Sequence, residues 1–210
     1  MGTDRKWVIV RIDGKIAAVS TDYRMLSEIS SKLAGQKTPQ HIKVCAETVG
    51  FDYIWSLRKL TTWDDFMLFG TAFQKKVWRK LYELTHVYEG HEEGSALGSA
   101  LGSAPNSAPD QRVRLLSYSD FAELCENRAG VRAVAHAVGL NPLAVLIPCH
   151  MVVPKEAIDK MREIKKKAES TIFRGSDLCL DSILRDPSID FGEYALGRGL
   201  KRELIQKEFV

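Results

Sequence analysis

A cysteine and a histidine stand side by side at Cys149 and His150, and this pair is where the chain could do covalent chemistry. A thiol reacts as thiolate, and a nearby imidazole can take its proton and stabilise the charge that forms. On that logic Cys149 is a candidate nucleophile and His150 its candidate base. The pair lies within Asn141-Pro-Leu-Ala-Val-Leu-Ile-Pro-Cys-His-Met-Val-Val-Pro154. Leu143 to Ile147 is an uncharged apolar run that buries its backbone. Pro148 ends the run, since proline has no amide hydrogen for a ladder. Cys149 and His150 follow on a stiffened bend, flanked by Val152 and Val153. Residue type alone leaves two readings open, because buried cysteines are mostly inert and adjacent side chains point in different directions.

The wider spacing narrows the choice. Asn141 lies eight residues before Cys149, Arg132 seventeen and Tyr118 thirty-one. Pro-Cys-His behind Asn-Pro and an aliphatic run, with those residues in that register, resembles the active-site signature of the methylated-DNA–protein-cysteine methyltransferases, the 6-O-alkylguanine-DNA alkyltransferases. Near the C-terminus Tyr194, Gly197, Lys201 and Glu208 stand in the register of the same family, and Gly-Thr-Ala-Phe-Gln-Lys-Lys-Val-Trp from Gly70 resembles its entry into a second domain. The resemblance covers most of residues 70–210, with two interruptions, and is weak before that.

The resemblance implies DNA repair by irreversible transfer of an alkyl group from 6-O-alkylguanine to Cys149, once per molecule. Base flipping is required, because the target atom is inaccessible inside a duplex. His150 would activate Cys149 through a water, and Glu208 would orient His150. Tyr118 would give a proton or hydrogen bond to the guanine ring. Backbone groups of Cys149, Val152 and Ala195 would read the flipped base beside Tyr194, with Lys201 supporting the pocket wall and Asn141 bracing the turn. Arg132 matches the family's arginine finger on a helix laid in the DNA minor groove, where Ala133 and Ala135 permit close approach. The implied partner is double-stranded DNA carrying alkylated guanine, bound by a monomer, and no cofactor or metal is needed. A noncatalytic lesion-recognition protein is the alternative, but such proteins lack the acceptor cysteine. Two positions depart from the pattern. His136 is bulkier than a groove-facing helix favours, and Met151 replaces an arginine whose donors methionine cannot supply.

These residues need elements to hold them. The pattern reads as an α/β N-terminal domain over 1–69 and a mostly helical C-terminal domain over 70–210, with a helix-turn-helix of winged-helix-like kind. Residues 7–20 read as a hairpin in which Val8, Val10 and Ile12 alternate with exposed-type positions around Asp13-Gly14. Asp22 would cap a helix with Leu26, Ile29 and Leu33 on one face, ended by Gly35. A strand fits His41–Glu47, while Phe51 to Phe69 is not placed by its pattern. This region carries no catalytic constellation and reads as a support domain. Thr71 to Gln74 fits a capping box ahead of a helical stripe of Phe73, Val77, Leu81 and Leu84.

Gly-Ser-Ala-Leu repeats make residues 89–111 a flexible insertion by composition. A short helix capped by Ser119 and a second over Val131 to Val138 make the helix-turn-helix. On the second, Val131, Val134 and Val138 share a face opposite Arg132 and His136, which by geometry alone is a solvated face. A second insertion spans about 155–190, with Ala157, Met161, Ile164 and Ala168 at helical spacing beside Lys165, Lys166 and Lys167. It reads as a surface helix, a DNA-backbone contact or a weak nuclear signal. At the end Leu200, Leu204 and Glu208 share one helical face, where a carboxylate must be bonded or paired to be buried.

Composition sets wide bounds. The 210 residues are 45% hydrophobic, which suffices for a core, and no run of eighteen apolar residues or signal-peptide core is present. Four cysteines without close pairing and five histidines without ligand spacing suggest neither disulfides nor zinc. The expected location is intracellular, and nuclear in a eukaryote. Net charge is only +3, and from Ser117 onward 14 Lys and Arg balance 14 Asp and Glu. DNA contact must therefore rest on local geometry rather than a broad positive field.

Overall fold

The computed structural model describes residues 5–24, 29, 31, 42–86, 115–171 and 180–209. Strands β1 (Trp7–Ile12) and β2 (Lys15–Ser20) form the expected hairpin. Asp13 and Gly14 take φ of 48° and 83°, the left-handed pair that a two-residue turn matched to strand twist requires. Strand β3 (Val44–Val49) pairs antiparallel with the other edge of β1, so the sheet order is β2-β1-β3. The strand begins at Val44 rather than His41, which lies outside the described residues.

The expected alternation of buried and exposed positions in the hairpin is corrected. Val8, Val10 and Ile12 pack with Ile29 on one face, while Trp7, Ile9, Ile16 and Val19 join the main core on the other. A sheet covered on both faces has no solvent side, so its strands read as continuous apolar runs. Asp22 accepts a hydrogen bond from the Arg24 amide at 2.9 Å, and Arg24, Ile29 and Ser31 are helical. Leu26, Leu33 and Gly35 lie outside the described residues.

The stretch that pattern left unplaced contains helix α1 (Phe51–Leu60). Its inner face is Ile54 and Arg58, one turn apart, and Phe51 sits between Trp7 and Trp55 at ring separations of 5.8 and 5.7 Å. Aromatics on two faces blurred the helical period. Helix α2 (Ala72–His86) opens with the capping box: Gln74 Oε1 accepts from the Thr71 amide at 2.8 Å and Thr71 Oγ1 from the Gln74 amide at 3.2 Å. Val77 and Leu81 are fully buried, and Trp78 beside them donates from Nε1 to the Ala137 carbonyl at 2.8 Å. The insertion at 89–111 lies outside the described residues.

Strand β4 (Leu116–Ser117) pairs in parallel with β5 (Val152–Val153). Helix α3 (Tyr118–Leu124) is capped by Ser117, not Ser119. Its third residue is Asp120, whose amide the Ser117 hydroxyl accepts at 3.1 Å. Ser119, already in the first turn, bonds the Ser117 hydroxyl instead at 2.9 Å. Helix α4 (Val131–Gly139) buries Val134, Ala137 and Val138 and exposes Arg132 and His136, as the pattern predicts.

Part of the stretch expected to be a second insertion packs as helices. Helices α5 (Lys155–Thr171) and α6 (Leu180–Arg185) bring Ala157, Ile183 and Leu184 against Ile189, Phe191 and Ile205, making a second small core beside helix α7 (Arg198–Glu208). Arg202 of α7 ties that core down by donating to the Leu184 and Asp186 carbonyls at 2.7 and 3.0 Å. The result is a mixed α/β fold, a small sheet with several helices. No helix of the described residues is long and apolar enough to cross a membrane.

Candidate active site

The reactive pair is reached through a turn that the N-terminal sheet helps to hold. The Val19 amide of β2 donates to the Pro142 carbonyl at 2.8 Å, and the Ala144 amide returns to the Val19 carbonyl at 3.2 Å. Leu143 to Ile147 are all buried, as the apolar run predicts. Val145 within it has φ of 72°, a left-handed conformation that costs a β-branched residue roughly 1–3 kcal/mol.

Asn141 clasps this turn. Its Oδ1 accepts from the Leu143 amide at 3.0 Å, and its Nδ2 donates to the Ile147 carbonyl at 2.8 Å. The same Nδ2 lies 3.0 Å from Cys149 Sγ. One side chain thus fixes the strained turn and touches the sulfur. Pro148 leads into a single 3-10 turn, Cys149–Met151, with all three residues buried.

His150 is fully enclosed, and its Nε2 lies 2.8 Å from Glu208 Oε1 at the end of α7. The helical face shared by Leu200, Leu204 and Glu208 is buried as expected. Glu208 Oε1 also pairs with Arg58 Nη1 from α1. This corrects the expectation that the first region adds nothing to the constellation. Arg58 stands one turn after Ile54, but the blurred period of this stretch did not mark that face as inward, so no local signal pointed to it. Met151, the departure from the family pattern, is buried without a charge, and the guanidinium at Glu208 comes from Arg58.

The charge states follow from these contacts. Burial pulls the imidazole of His150 below its ordinary value and outweighs the hydrogen bond and charge of Glu208, so the ring is neutral. Burial alone would raise the Glu208 carboxyl, but His150 and Arg58 more than offset it, so Glu208 is ionised. His150 therefore donates from Nε2–H, which leaves Nδ1 an acceptor. Among the described residues that buried Nδ1 has no partner. Burial also pushes the Cys149 thiol up, against the Asn141 bond, the Tyr194 hydroxyl 3.8 Å away and the charge of Lys201. The resting sulfur is a thiol in need of a base.

Lys201 is 1% exposed, bonded to the Glu193 carbonyl at 3.3 Å and 5.7 Å from the centre of the Tyr118 ring. Burial brings its ammonium down to about 8. Tyr118 and Tyr194 are half-buried, and burial raises both hydroxyls, with the neighbouring Cys149 adding to it. Both stay protonated, ready to donate. Gly192 turns the chain ahead of Tyr194 at φ of 81°, with a side chain excluded by Pro154 at 2.8 Å.

Asn141, Tyr194, Lys201 and Tyr118 thus lie about the Cys149 sulfur, while Glu208 holds His150, the next residue along the chain. Val152 is buried in β5 just beyond the turn, and Ala195 is exposed beside Tyr194. Arg132 and Ala133 are exposed on α4 and Ala135 is half-buried, so they offer surface rather than a bond in the cluster. Among the described residues no group of three or more His, Cys, Asp or Glu is placed to hold a metal.

Several known proteins resemble this chain. The sequence model of the 6-O-methylguanine DNA methyltransferase DNA-binding domain matches residues 96–170. A relative from Acanthamoeba polyphaga mimivirus, named a probable methylated-DNA–protein-cysteine methyltransferase, is 36% identical over 91 residues, 43% of this chain and 44% of the relative. A Saccharomyces cerevisiae methylated-DNA–protein-cysteine methyltransferase is 23% identical over 163 residues, 73% of this chain and 65% of the relative. The chain thus spans from under half to about two thirds of the length of these relatives. The crystal structure of O6-methylguanine-DNA methyltransferase from Pyrococcus kodakaraensis aligns with 99% of this chain and 94% of its own. Its TM-score is 0.51 at 18% identity, a likeness of fold.

Proposed function

We propose that this chain is a methylated-DNA–protein-cysteine methyltransferase and repairs DNA by moving the alkyl group of 6-O-alkylguanine onto Cys149. The observation that carries the reading is the relay of buried groups. Ionised Glu208 holds Nε2–H of His150, and the free Nδ1 acceptor belongs to the residue next to a buried thiol. In this reading Cys149 is the nucleophile, His150 its base and Glu208 the orienter.

In the reaction the thiol proton passes to His150 Nδ1 through a bridging water. The sulfur then attacks the alkyl carbon in line, forming a carbon–sulfur bond as the carbon–oxygen bond to guanine breaks. The leaving guanine anion takes a proton from Tyr118, a phenol kept protonated beside the sulfur. Asn141 and Lys201 favour negative charge on sulfur. The thioether is not hydrolysed, so each molecule acts once.

DNA supplies the base, flipped from the duplex. In this reading α3 and α4 act as a helix-turn-helix whose exposed face, with Arg132, Ala133 and Ala135, enters the minor groove. Arg132 fills the gap left by the flipped nucleotide, while Val152, Tyr194 and Ala195 bound the base. The protein works as a monomer without cofactor, divides functionally near residue 70, and in a eukaryote acts in the nucleus. The test is intact and peptide mass spectrometry after incubation with a duplex carrying 6-O-methylguanine. One methyl gained on the Cys149 peptide with stoichiometric lesion loss is expected. Lesion binding without methyl gain would instead mean a noncatalytic recognition protein.

A further inference from the structure

Two cationic or donor groups meet on one oxygen of Glu208, and only one belongs to the catalytic turn. Arg58 arrives from α1, in the region before residue 70, and its side chain is 9% exposed against 4% for Glu208 and 0% for His150. Its guanidinium lies 5.3 Å from the Trp55 ring centre, so it is packed as well as paired. Three ionisable groups thus share a space nearly closed to water, where each charge is felt strongly.

We infer that Arg58 is a positioning residue for the transfer reaction: by neutralising Glu208 it keeps His150 an uncharged Nε2–H tautomer with Nδ1 free to accept the thiol proton. The inference rests on the transferase reading above and adds a regulator of its base. The reason is charge balance. With Arg58 cationic and Glu208 anionic, the cluster is neutral when His150 is neutral. Without Arg58, the buried Glu208 anion would be balanced most readily by a second proton on His150. That proton would occupy Nδ1 and turn the acceptor into a donor. The charged groups acting on His150 are Glu208 and Lys201 from α7 and Arg58 from α1. Glu208 favours the imidazolium, while Arg58 and Lys201 oppose it. Removing Arg58 therefore raises the pH at which His150 loses its proton.

The experiment measures single-turnover methyl transfer against pH for the full chain and for Arg58→Gln and Arg58→Lys, with folding checked by circular dichroism. Gln keeps a hydrogen-bond donor without charge, and Lys keeps the charge without the fork. Expected is an acid limb displaced to higher pH in Arg58→Gln. Each pH unit of displacement costs about tenfold in rate below the limb, with recovery toward the parent rate as pH rises. In Arg58→Lys the limb returns toward the parent position. A rate lowered equally at all pH values in Arg58→Gln, or a limb that does not move, overturns the inference. Nitrogen-15 NMR of His150 in the unsubstituted chain tests it even where a variant does not fold. A neutral Nε2–H ring persisting below the ordinary histidine range is expected, and a ring protonated at neutral pH refutes it. Absence of any methyl transfer by the unsubstituted chain would instead refute the transferase reading, a separate outcome.

Discussion

Cys125 and Cys149 are both buried, and the difference between their surroundings shows what turns a packing thiol into a candidate nucleophile. Cys125 ends α3, and burial pushes its thiol up to about 11 against the more modest pull of Lys76 and Lys80. At pH 7 a thiol of that pKa is thiolate on the order of one part in ten thousand. Cys149 meets the same penalty, but an amide nitrogen, a tyrosine hydroxyl and a buried ammonium face its sulfur, and a neutral imidazole stands next along the chain. Burial alone makes a cysteine inert, whereas burial among oriented donors beside a base makes it selective.

The largest expected effect is the most direct. Cys149→Ser abolishes methyl gain from the modified duplex, whereas Cys125→Ser leaves it intact and costs about 1–2 kcal/mol of stability, the hydroxyl being poorly matched to its site. Mass spectrometry and urea denaturation read the two. Loss of transfer in both variants would erase the contrast.

Glu208→Gln comes next. It removes the carboxylate paired with the buried Arg58 and unlocks the tautomer of His150. Transfer rate falls on the order of a hundredfold and stability by about 3–5 kcal/mol. Stopped-flow transfer and denaturant midpoints are the measurements.

Asn141→Ala sharpens the comparison by stripping one donor from the sulfur and releasing the turn around Val145. A cost of about 1–3 kcal/mol with slower transfer is expected. Stability loss with an unchanged rate would confine Asn141 to bracing the backbone.

The smallest effect is a pH dependence of stability. His150 has a folded pKa below its unfolded value, so the unfolded chain binds more protons once pH falls under about 6.5. Glu208, also depressed from 4.5, adds a second loss at lower pH. The urea midpoint should therefore fall as pH drops through these windows, and His150→Gln should flatten the upper one.

Much of the site is local information. The spacing from Tyr118 through Asn141 to Cys149 and His150 lies within one stretch of chain, and the face shared by Leu200, Leu204 and Glu208 follows from helical period. The hairpin turn at Asp13-Gly14 and the capping box at Thr71 and Gln74 are likewise written in a few neighbouring residues. The cap of α3 was misread by two positions because Ser117 and Ser119 are chemically alike, and only the helix start chooses between them.

The candidate nucleophile, base and orienter were legible in the sequence alone, since they are residue types in a recognisable register. Tertiary structure decided what those groups are at rest. Both faces of the hairpin are buried because Ile29, Ile42, Met67 and Phe69 cover one side and the main core the other, and no alternation along one strand reports that. Arg58 reaches Glu208 across 150 residues of sequence, so its role depends on packing that brings α1 against α7. The neutrality of His150 and the protonation of Cys149 are set by exclusion of water and by charges from separate elements, quantities that exist only once the chain has closed around them.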